Sequence, residues 1–233
     1  MIAPTRRARL RAQTIAEIKS AALSQVAAEG APALSIRAVA RAIGMSPAGL
    51  YRYYDGRDAL LTDLITDAYN SLADAVHNAI EDADGEPNAR IFLAGVRAYR
   101  TWGVREPNRF LLIFGTPVPG YAAPDGGPTV DANRRMGEAF FRVAAEAWLG
   151  GDLRVAPLSR VPTKGEKSLA TEIQAMAPGF PADVISSLMA AWAAWHGLVS
   201  LEVTHQLDWL YDDVGVFVEG EFERIAAGLG FDV

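Results

Sequence analysis

Residues 35–61 constrain the fold of this chain more than any other stretch, and they read SIRAVARAIGMSPAGLYRYYDGRDALL. The apolar residues of the first half recur at helical spacing, and Gly44 interrupts that pattern. Ser46 and Pro47 then form a helix-start signal, because serine caps helix N-termini and proline at the first helical position lacks only an N–H that would be unpaired anyway. The stretch therefore predicts two short helices joined by a tight turn.

Helical periodicity continues through the rest of the chain, and no alternating run long enough for a strand competes with it. The proline- and glycine-rich stretch 115–130 predicts a loop, because no helix can pass through it. Further helices are predicted near Ser168–Met176, over about 183–206, where the chain is most apolar, and over about 212–228. The predicted fold is all-α, with a three-helix N-terminal unit and a larger helical body.

Charge is distributed unevenly along the chain. The net charge is −6, yet residues 1–57 carry nine basic and three acidic residues, a net +6, and the remainder carries −12. A basic head on an acidic body indicates that only the head meets a polyanion, although chance clustering of solvated charge is an alternative. The change of charge predicts a first domain at 1–56, extending to about 72 with the start of a long connecting helix, and a second domain at 57–233.

Composition narrows the class of protein further. The chain has no cysteine, which excludes disulfides and thiolate metal sites and fits a reducing compartment. No stretch approaches the ~18 uninterrupted apolar residues of a membrane span, and the N-terminal arginines precede no apolar signal segment. His196 has no histidine three or four residues away, and no nucleophile and base pair stands out. We expect a cytoplasmic protein with no catalytic site, metal or cofactor.

The N-terminal unit has the parts of a helix-turn-helix, in which the second helix enters the major groove of DNA. Periodicity turns Leu50 and Tyr54 inward. The residues left outside offer hydroxyl and guanidinium donors for phosphate and small groups that approach base edges closely. Any two short helices with a glycine between them would look similar, which is the alternative. The predicted DNA-contacting residues are Arg37, Ser46, Pro47, Ala48, Gly49, Tyr51, Tyr53 and Arg57.

Residues about 12–72 resemble the DNA-binding domain of the TetR family of bacterial transcriptional repressors. The run 35–61 matches that family's alanine-rich second helix, glycine turn, Leu-Tyr recognition helix, and basic-acidic-x-leucine start of the fourth helix. The resemblance implies that Tyr51 contacts phosphate, that Tyr53 contacts phosphate or a base, and that Arg57 contacts phosphate.

Three positions depart mildly from the family's pattern. The family usually has phenylalanine where Tyr54 stands, lysine where Arg57 stands, and glutamate where Asp58 stands. An acidic side chain still suits the N-terminus of a helix, so Asp58 keeps that property.

The two late helices are the predicted dimer interface, since one basic unit alone would touch too few phosphates for specific binding. An ordinary buried core helix is the alternative for the apolar stretch around residue 195. The triplet Trp195-His196-Gly197 resembles the signature of a C-terminal domain class of TetR-like regulators named after those residues, which implies ligand binding and dimerisation. The predicted interface residues are Leu188, Trp195, Val199, Phe217 and Phe222.

An effector pocket is predicted among the middle helices, because cavities for small molecules are mostly apolar with few polar anchors. Loop 115–130 could cover such a pocket as a lid. Each residue could instead belong to the core, and His196 could be a hydrogen-bonded core or interface group. The predicted pocket residues are Trp102, Phe110, Phe114, Met136, Phe140, Trp192 and His196.

Together with the resemblance, these features predict a homodimeric, ligand-responsive repressor. It would bind a palindromic operator in double-stranded DNA and be released by a small hydrophobic effector. A helical enzyme or binding protein for a hydrophobic molecule, and a non-specific DNA-binding protein, remain as alternatives.

Overall fold

The computed structural model describes residues 5–155 and 179–233. Within those ranges the chain forms nine α-helices, one 3-10 helix and no β-strand, which confirms the all-α prediction. The helix predicted near Ser168–Met176 lies outside the described residues. The helices are α1 (Arg6–Glu29), the 3-10 helix (Ala31–Ala33), α2 (Ile36–Ala42), α3 (Pro47–Leu50), α4 (Arg57–Asp82), α5 (Asn88–Arg105), α6 (Pro107–Phe114), α7 (Pro128–Gly150), α8 (Ala182–Val203) and α9 (Val214–Gly228).

The chain divides into two compact units. The first comprises Met1–Asn70 and Glu106–Asn133, and the second comprises Ser71–Arg105 and Arg134–Val233. This division differs from the predicted one, because α6 and the loop after it group with the N-terminal helices rather than with the helical body. Helix α4 is continuous and contributes residues to both units.

One apolar core holds the first unit together. Its side chains come from α1, α2, α3, the N-terminal half of α4 and α6, and from Leu34 and Tyr54 between helices. Each buried aliphatic side chain contributes about 1.5–3 kcal/mol of transfer free energy, so this cluster fixes how the short helices α2 and α3 pack. Its members include Ile18, Ala22, Val26, Ile36, Val39, Ala40, Leu50, Tyr54, Leu60, Leu61 and Leu64.

The turn between α2 and α3 is a Schellman motif, as the glycine in the sequence indicated. Gly44 has φ 67°, a left-handed conformation that side chains disfavour. Its N–H donates to the carbonyl of Arg41 at 3.2 Å, and the N–H of Met45 donates to the carbonyl of Ala40 at 2.8 Å. These bonds end α2 and turn the chain into α3.

Ser35 behaves differently from the usual helix cap. It precedes α2 in an extended conformation, but its side chain makes no capping hydrogen bond. Its own N–H donates to Oε1 of Gln25 at 3.1 Å. A side chain of α1 therefore fixes the entry into α2, a long-range partner that local sequence cannot reveal.

Two arginines of α5 hold the second unit together through ion pairs. Arg100 donates to both carboxylate oxygens of Glu202 on α8, at 2.7 and 2.5 Å. Arg97 donates from Nε to Glu219 on α9 at 2.6 Å. The hydrogen bond to Glu202 raises the pKa of Arg100 above its ordinary value, against the opposing effect of burial. These pairs tie α5 to both late helices.

Helix α8 is unusually apolar. By length and composition alone, Asp183–Val203 could cross a membrane, with a mean hydropathy of 1.4. The criterion of an uninterrupted apolar run did not select it, because serine, histidine and glutamate interrupt the run. Core helices of soluble proteins pass the same composition test, and α8 packs against α5 and α9. Only 33 % of its most apolar window is buried, so much of its apolar surface lies outside the unit.

Candidate functional site

Helix α3 is held from both ends. Ser46 caps it by accepting a hydrogen bond from the N–H of Gly49 at 3.1 Å, and proline occupies the first turn. Leu50 is fully buried and Tyr54 is 8 % exposed, so both turn inward as the periodicity predicts. A four-residue helix has little stability of its own, and these inward contacts fix its orientation.

The opposite side of α3 faces solvent. Tyr51 is 52 % exposed although it is a large aromatic residue, and Arg52 beside it is exposed as well. Pro47 and Ala48 present only small side chains there. The small side chains let a ligand approach the helix backbone closely, and the hydroxyl of Tyr51 and the guanidinium of Arg52 project beside them. Of the predicted DNA-contacting residues, Arg37, Ser46, Pro47, Ala48 and Tyr51 are exposed.

Gly49 has a packing role in the turn, and its contact with DNA remains a prediction. A Cβ atom at this position would lie 2.9 Å from Cγ of Met45 and 3.2 Å from Oγ of Ser46. Its missing side chain would therefore point toward the turn, not toward a ligand. Gly49 lets Met45 fill the space beneath α3, where Met45 packs against the core cluster.

Tyr53 is only partly exposed, and it packs against the core of the first unit. The guanidinium carbon of Arg11 on α1 lies 5.0 Å from the centre of its ring, a cation–π distance. The contact brings a basic side chain of α1 to the C-terminal end of the recognition helix.

Arg57 is engaged within the first unit. Its Nη2 donates to the carbonyl oxygens of Ala31 and Pro32 at 3.4 and 3.2 Å, and Nη1 lies 3.4 Å from Oδ1 of Asp58. The side chain thus anchors the 3-10 helix to the start of α4. Its contact with phosphate remains a prediction, whereas its positioning contacts are part of the fold.

A hydrogen-bonded network that the sequence did not reveal lies behind α3. The hydroxyl of Tyr54 donates to Asp63 at 2.6 Å, and Nζ of Lys19 lies 2.9 Å from Asp63 and 2.7 Å from Asp67. Burial and the neighbouring Asp63 raise the pKa of Tyr54, so the phenol stays protonated as a donor. Burial opposes the charge of Lys19, but hydrogen bonds to Asp67 and Asp63 raise its pKa. The signal in the sequence was the tyrosine that replaces the family's phenylalanine.

The predicted effector residues fall into both units. Phe110 and Phe114 belong to the first, where their rings lie 5.1 Å apart and Phe114 also meets Tyr69 edge-on at 5.9 Å. Phe110 is 1 % exposed and forms part of the packing of that unit.

The other predicted pocket residues lie in the second unit. Trp102 is buried and donates from Nε1 to Oγ of Ser71 at 3.1 Å. Phe140 packs against Phe92 and Trp195, with ring centres 5.9 and 5.4 Å away. Met136, Trp192 and His196 complete the set, and Met136 is 6 % exposed.

His196 has two polar neighbours, Tyr99 and Ser200, in an otherwise apolar part of the second unit. Its Nδ1 lies 2.7 Å from the hydroxyl of Tyr99, its Nε2 lies 3.4 Å from Oγ of Ser200, and its ring stacks on Trp192 at 5.1 Å. Burial lowers the pKa of His196, which favours the neutral imidazole. In the part of the chain that the structure describes, Nε1 of Trp192 and Nε1 of Trp195 are buried without a hydrogen-bond partner.

A separate cleft of about 610 Å³ opens at the N-terminal end of α5. It is polar, with Asn88 donating to Asp152 at 2.8 Å, and Arg154 also lines it. None of the seven predicted pocket residues lines this cleft. It therefore gives no support to the predicted effector site.

The predicted interface residues require a correction. Leu188, Trp195, Val199 and Phe222 are at most 7 % exposed and form the interior of the second unit, so they cannot form an open surface. Phe217 is partly exposed and stacks on Tyr211 at 4.2 Å. Leu188, Trp195 and Val199 take the inner side of α8, because burying these side chains removes much apolar area from water. The outer face of α8 consists of Met189, Ala190, Ala193, Ala194 and Leu201.

Two family models match the chain over most of its length. Residues 18–64 match the model of bacterial regulatory proteins of the tetR family, and residues 92–225 match a tetracyclin repressor-like C-terminal domain. The chain belongs to the TetR family. It is a DNA-binding transcriptional regulator with an N-terminal helix-turn-helix domain. Membership of the class named after Trp-His-Gly remains a prediction.

Individual relatives agree with this family. HTH-type transcriptional regulators of Mycobacterium tuberculosis and Mycobacterium bovis are 37 % identical over 224 residues, which is 94 % of this chain and 93 % of each relative. The crystal structure of regulatory protein SCO4313 superposes with a TM-score of 0.73 at 36 % identity, covering 95 % of this chain and 98 % of that one. A tetR-family regulatory protein from Rhodococcus RHA1 shares the fold, with a TM-score of 0.66 at 19 % identity and coverage of 94 and 98 %.

The Tyr54 network predicts a specific loss of stability. Tyr54→Phe removes the donor to a charged carboxylate and should lower the free energy of unfolding by ~1.5–3 kcal/mol. Tyr51→Phe removes a hydroxyl from the exposed side of α3 and should change it by less than ~0.5 kcal/mol. Urea denaturation followed by circular dichroism measures both. Equal stability of the two variants would show that the Tyr54 hydrogen bond contributes nothing.

The neutral state of His196 predicts acid sensitivity. The unfolded chain binds a proton near the ordinary histidine pKa of 6.5, and the folded chain binds it only at lower pH. Stability is therefore fully present above that pH and falls as the solution is acidified below it. Thermal unfolding between about pH 8 and about pH 5.5 should show a smaller acid loss for His196→Gln than for wild type. A wild-type acid loss in His196→Gln would contradict the assignment.

Proposed function

We propose that the protein is a homodimeric repressor that binds a palindromic operator and is released from it by a small hydrophobic effector. The observation that carries the proposal is the exposed surface of α3, where Tyr51 projects beside Pro47 and Ala48 within the basic segment 1–57. The proposal places the protein in the cytoplasm and gives it no enzymatic activity. Both follow from its role as a regulator of transcription.

Each exposed residue of α3 has a role in this proposal. The small side chains of Pro47 and Ala48 let the helix backbone approach base edges in the major groove, and the methyl group of Ala48 can pack on a thymine methyl. The hydroxyl of Tyr51 donates to a phosphate, which sets register and orientation. Ser46 can donate its hydroxyl proton to phosphate while its oxygen still accepts from Gly49, since a hydroxyl carries both functions.

Dimerisation in this proposal uses the outer faces of α8 and α9. On α8 the buried residues recur along one side, and the exposed Ala190, Ala194 and Leu201 recur on the opposite side at spacings of four and seven. A Cβ atom added at Gly197 or Gly220 would meet nothing within 4 Å, so both glycines border open space. Small residues allow close approach of helices from two subunits, and the apolar area left outside favours a homodimer.

The effector site is proposed in the second unit, around Trp192 and His196. Two buried indole N–H groups in this region lack partners among the described residues, and such donors bind an acceptor atom of a ligand at little desolvation cost. The favoured effector is therefore an apolar molecule that carries a carbonyl, carboxylate or ether oxygen.

Effector binding would favour a conformer in which the two recognition helices no longer match grooves roughly 34 Å apart. By linkage, DNA must weaken effector binding by the same factor.

Operator binding is tested with duplex DNA from upstream of the protein's own coding region. Wild type should protect a palindrome at physiological salt. Tyr51→Ala should weaken binding about tenfold, the effect of losing ~1.4 kcal/mol of phosphate contact, and Tyr51→Phe should show most of that loss if the hydroxyl is the donor. Electrophoretic mobility shift measures the affinities. A protein that protects no palindrome, or a Tyr51→Ala variant with wild-type affinity, would contradict the proposal.

The interface is tested by sedimentation velocity. Ala194→Arg places a long charged side chain in the centre of the outer face of α8 and should convert the dimer to monomers while leaving the circular dichroism spectrum unchanged. Thr101→Arg adds the same charge at an exposed position of α5 and should remain dimeric. A dimeric Ala194→Arg protein would place the interface elsewhere.

A further inference from the structure

The N-terminal turns of α1 extend beyond the core of the first unit. Residues 6–13 are all exposed, and the first buried residue of the helix is Ile18. Eight residues of helix span ~12 Å. The match to the family's DNA-binding model begins only at residue 18, so this segment lies outside it. It contains four arginines and no acidic residue: Arg6, Arg7, Arg9 and Arg11.

The four arginines do not share one face of the helix. Arg7 and Arg11 are four residues apart and continue the row that leads to Ile18 and Ala22, which face the core. Arg6 and Arg9 lie outside that row. Along this row, aliphatic residues therefore face the core, and arginines take their place in the N-terminal turns beyond the core.

The contact of Arg11 shows what this row meets. Its guanidinium carbon lies 5.0 Å from the ring centre of Tyr53, two residues after the exposed Tyr51. The arginine row and the recognition helix are therefore neighbours in the same unit. A guanidinium over an aromatic ring keeps its edge available for bidentate bonding to phosphate.

We propose that Arg7 and Arg11 form a second DNA-contacting surface, which grips the phosphate backbone flanking the bases that α3 reads. This inference rests on the proposed operator binding. Its ligand is double-stranded DNA, because all charged residues of segment 6–13 are arginines and the segment adjoins α3. The contact adds affinity and salt dependence and carries no base preference of its own.

The test compares two double variants with the same change of charge. Arg7→Ala with Arg11→Ala removes the proposed contacts, and Arg6→Ala with Arg9→Ala is the matched control on the other side of the helix. Alanine preserves helix propensity in both. On a long operator duplex, the slope of log affinity against log salt should fall by ~2 per subunit for the first variant, following ~0.9 per phosphate contact. The control should lose less than half as much.

Operator length gives a second readout. Removing the DNA that flanks the half-sites should lower wild-type affinity to that of the Arg7 and Arg11 variant, whose own affinity should not depend on the flanks. Equal salt slopes for the two double variants would overturn this inference, and so would an equal dependence on flanking DNA in wild type and in the Arg7 and Arg11 variant. In either case specific binding by wild type would leave the proposed function standing. Absence of any specific binding by wild type would overturn both.

Discussion

The proposed DNA-binding surface depends on the contacts that hold α3 on the core of the first unit, which are the burial of Leu50 and the burial and hydrogen bonding of Tyr54. Helix α3 has only four residues, too few to stay helical without support. Leu50 anchors it in the apolar core, and Tyr54 ties the chain just after it to α4. Lys19 then connects the carboxylate of Asp63 to α1. The exposed side of α3 can remain small because buried contacts on its inner side orient the helix.

Local sequence rules predicted much of the backbone structure around α3. The Gly44 turn, the Ser46 cap and the inward direction of Leu50 follow from residue type and spacing, which depend on neighbours within five positions. Contacts with distant residues were not predictable in this way. Gln25 accepts a hydrogen bond from the N–H of Ser35, and the carbonyls of Ala31 and Pro32 accept from Arg57. Each partner lies ten or more positions away, where periodicity carries no information.

The helical body shows a different limit of sequence reasoning. Helix α8 is apolar nearly all round, so the pattern could not say which side faces inward. In the folded unit Leu188, Trp195 and Val199 fill the interior, whereas three alanines lie on the outer face with Met189 and Leu201. The predicted pocket residues share apolar character but belong to both compact units. Their distribution could not be read from composition, since core and cavity linings use the same residue types.

We propose that two copies of α3 read successive major grooves of one operator. Hydroxyl-radical footprinting of the wild-type protein on its upstream DNA measures this directly. We expect two protected clusters on one face of the duplex, separated by about one helical turn, roughly 34 Å, and related by the symmetry of a palindrome. Uniform protection without a repeat, or protection of a single half-site by a protein that sediments as a dimer, would contradict it.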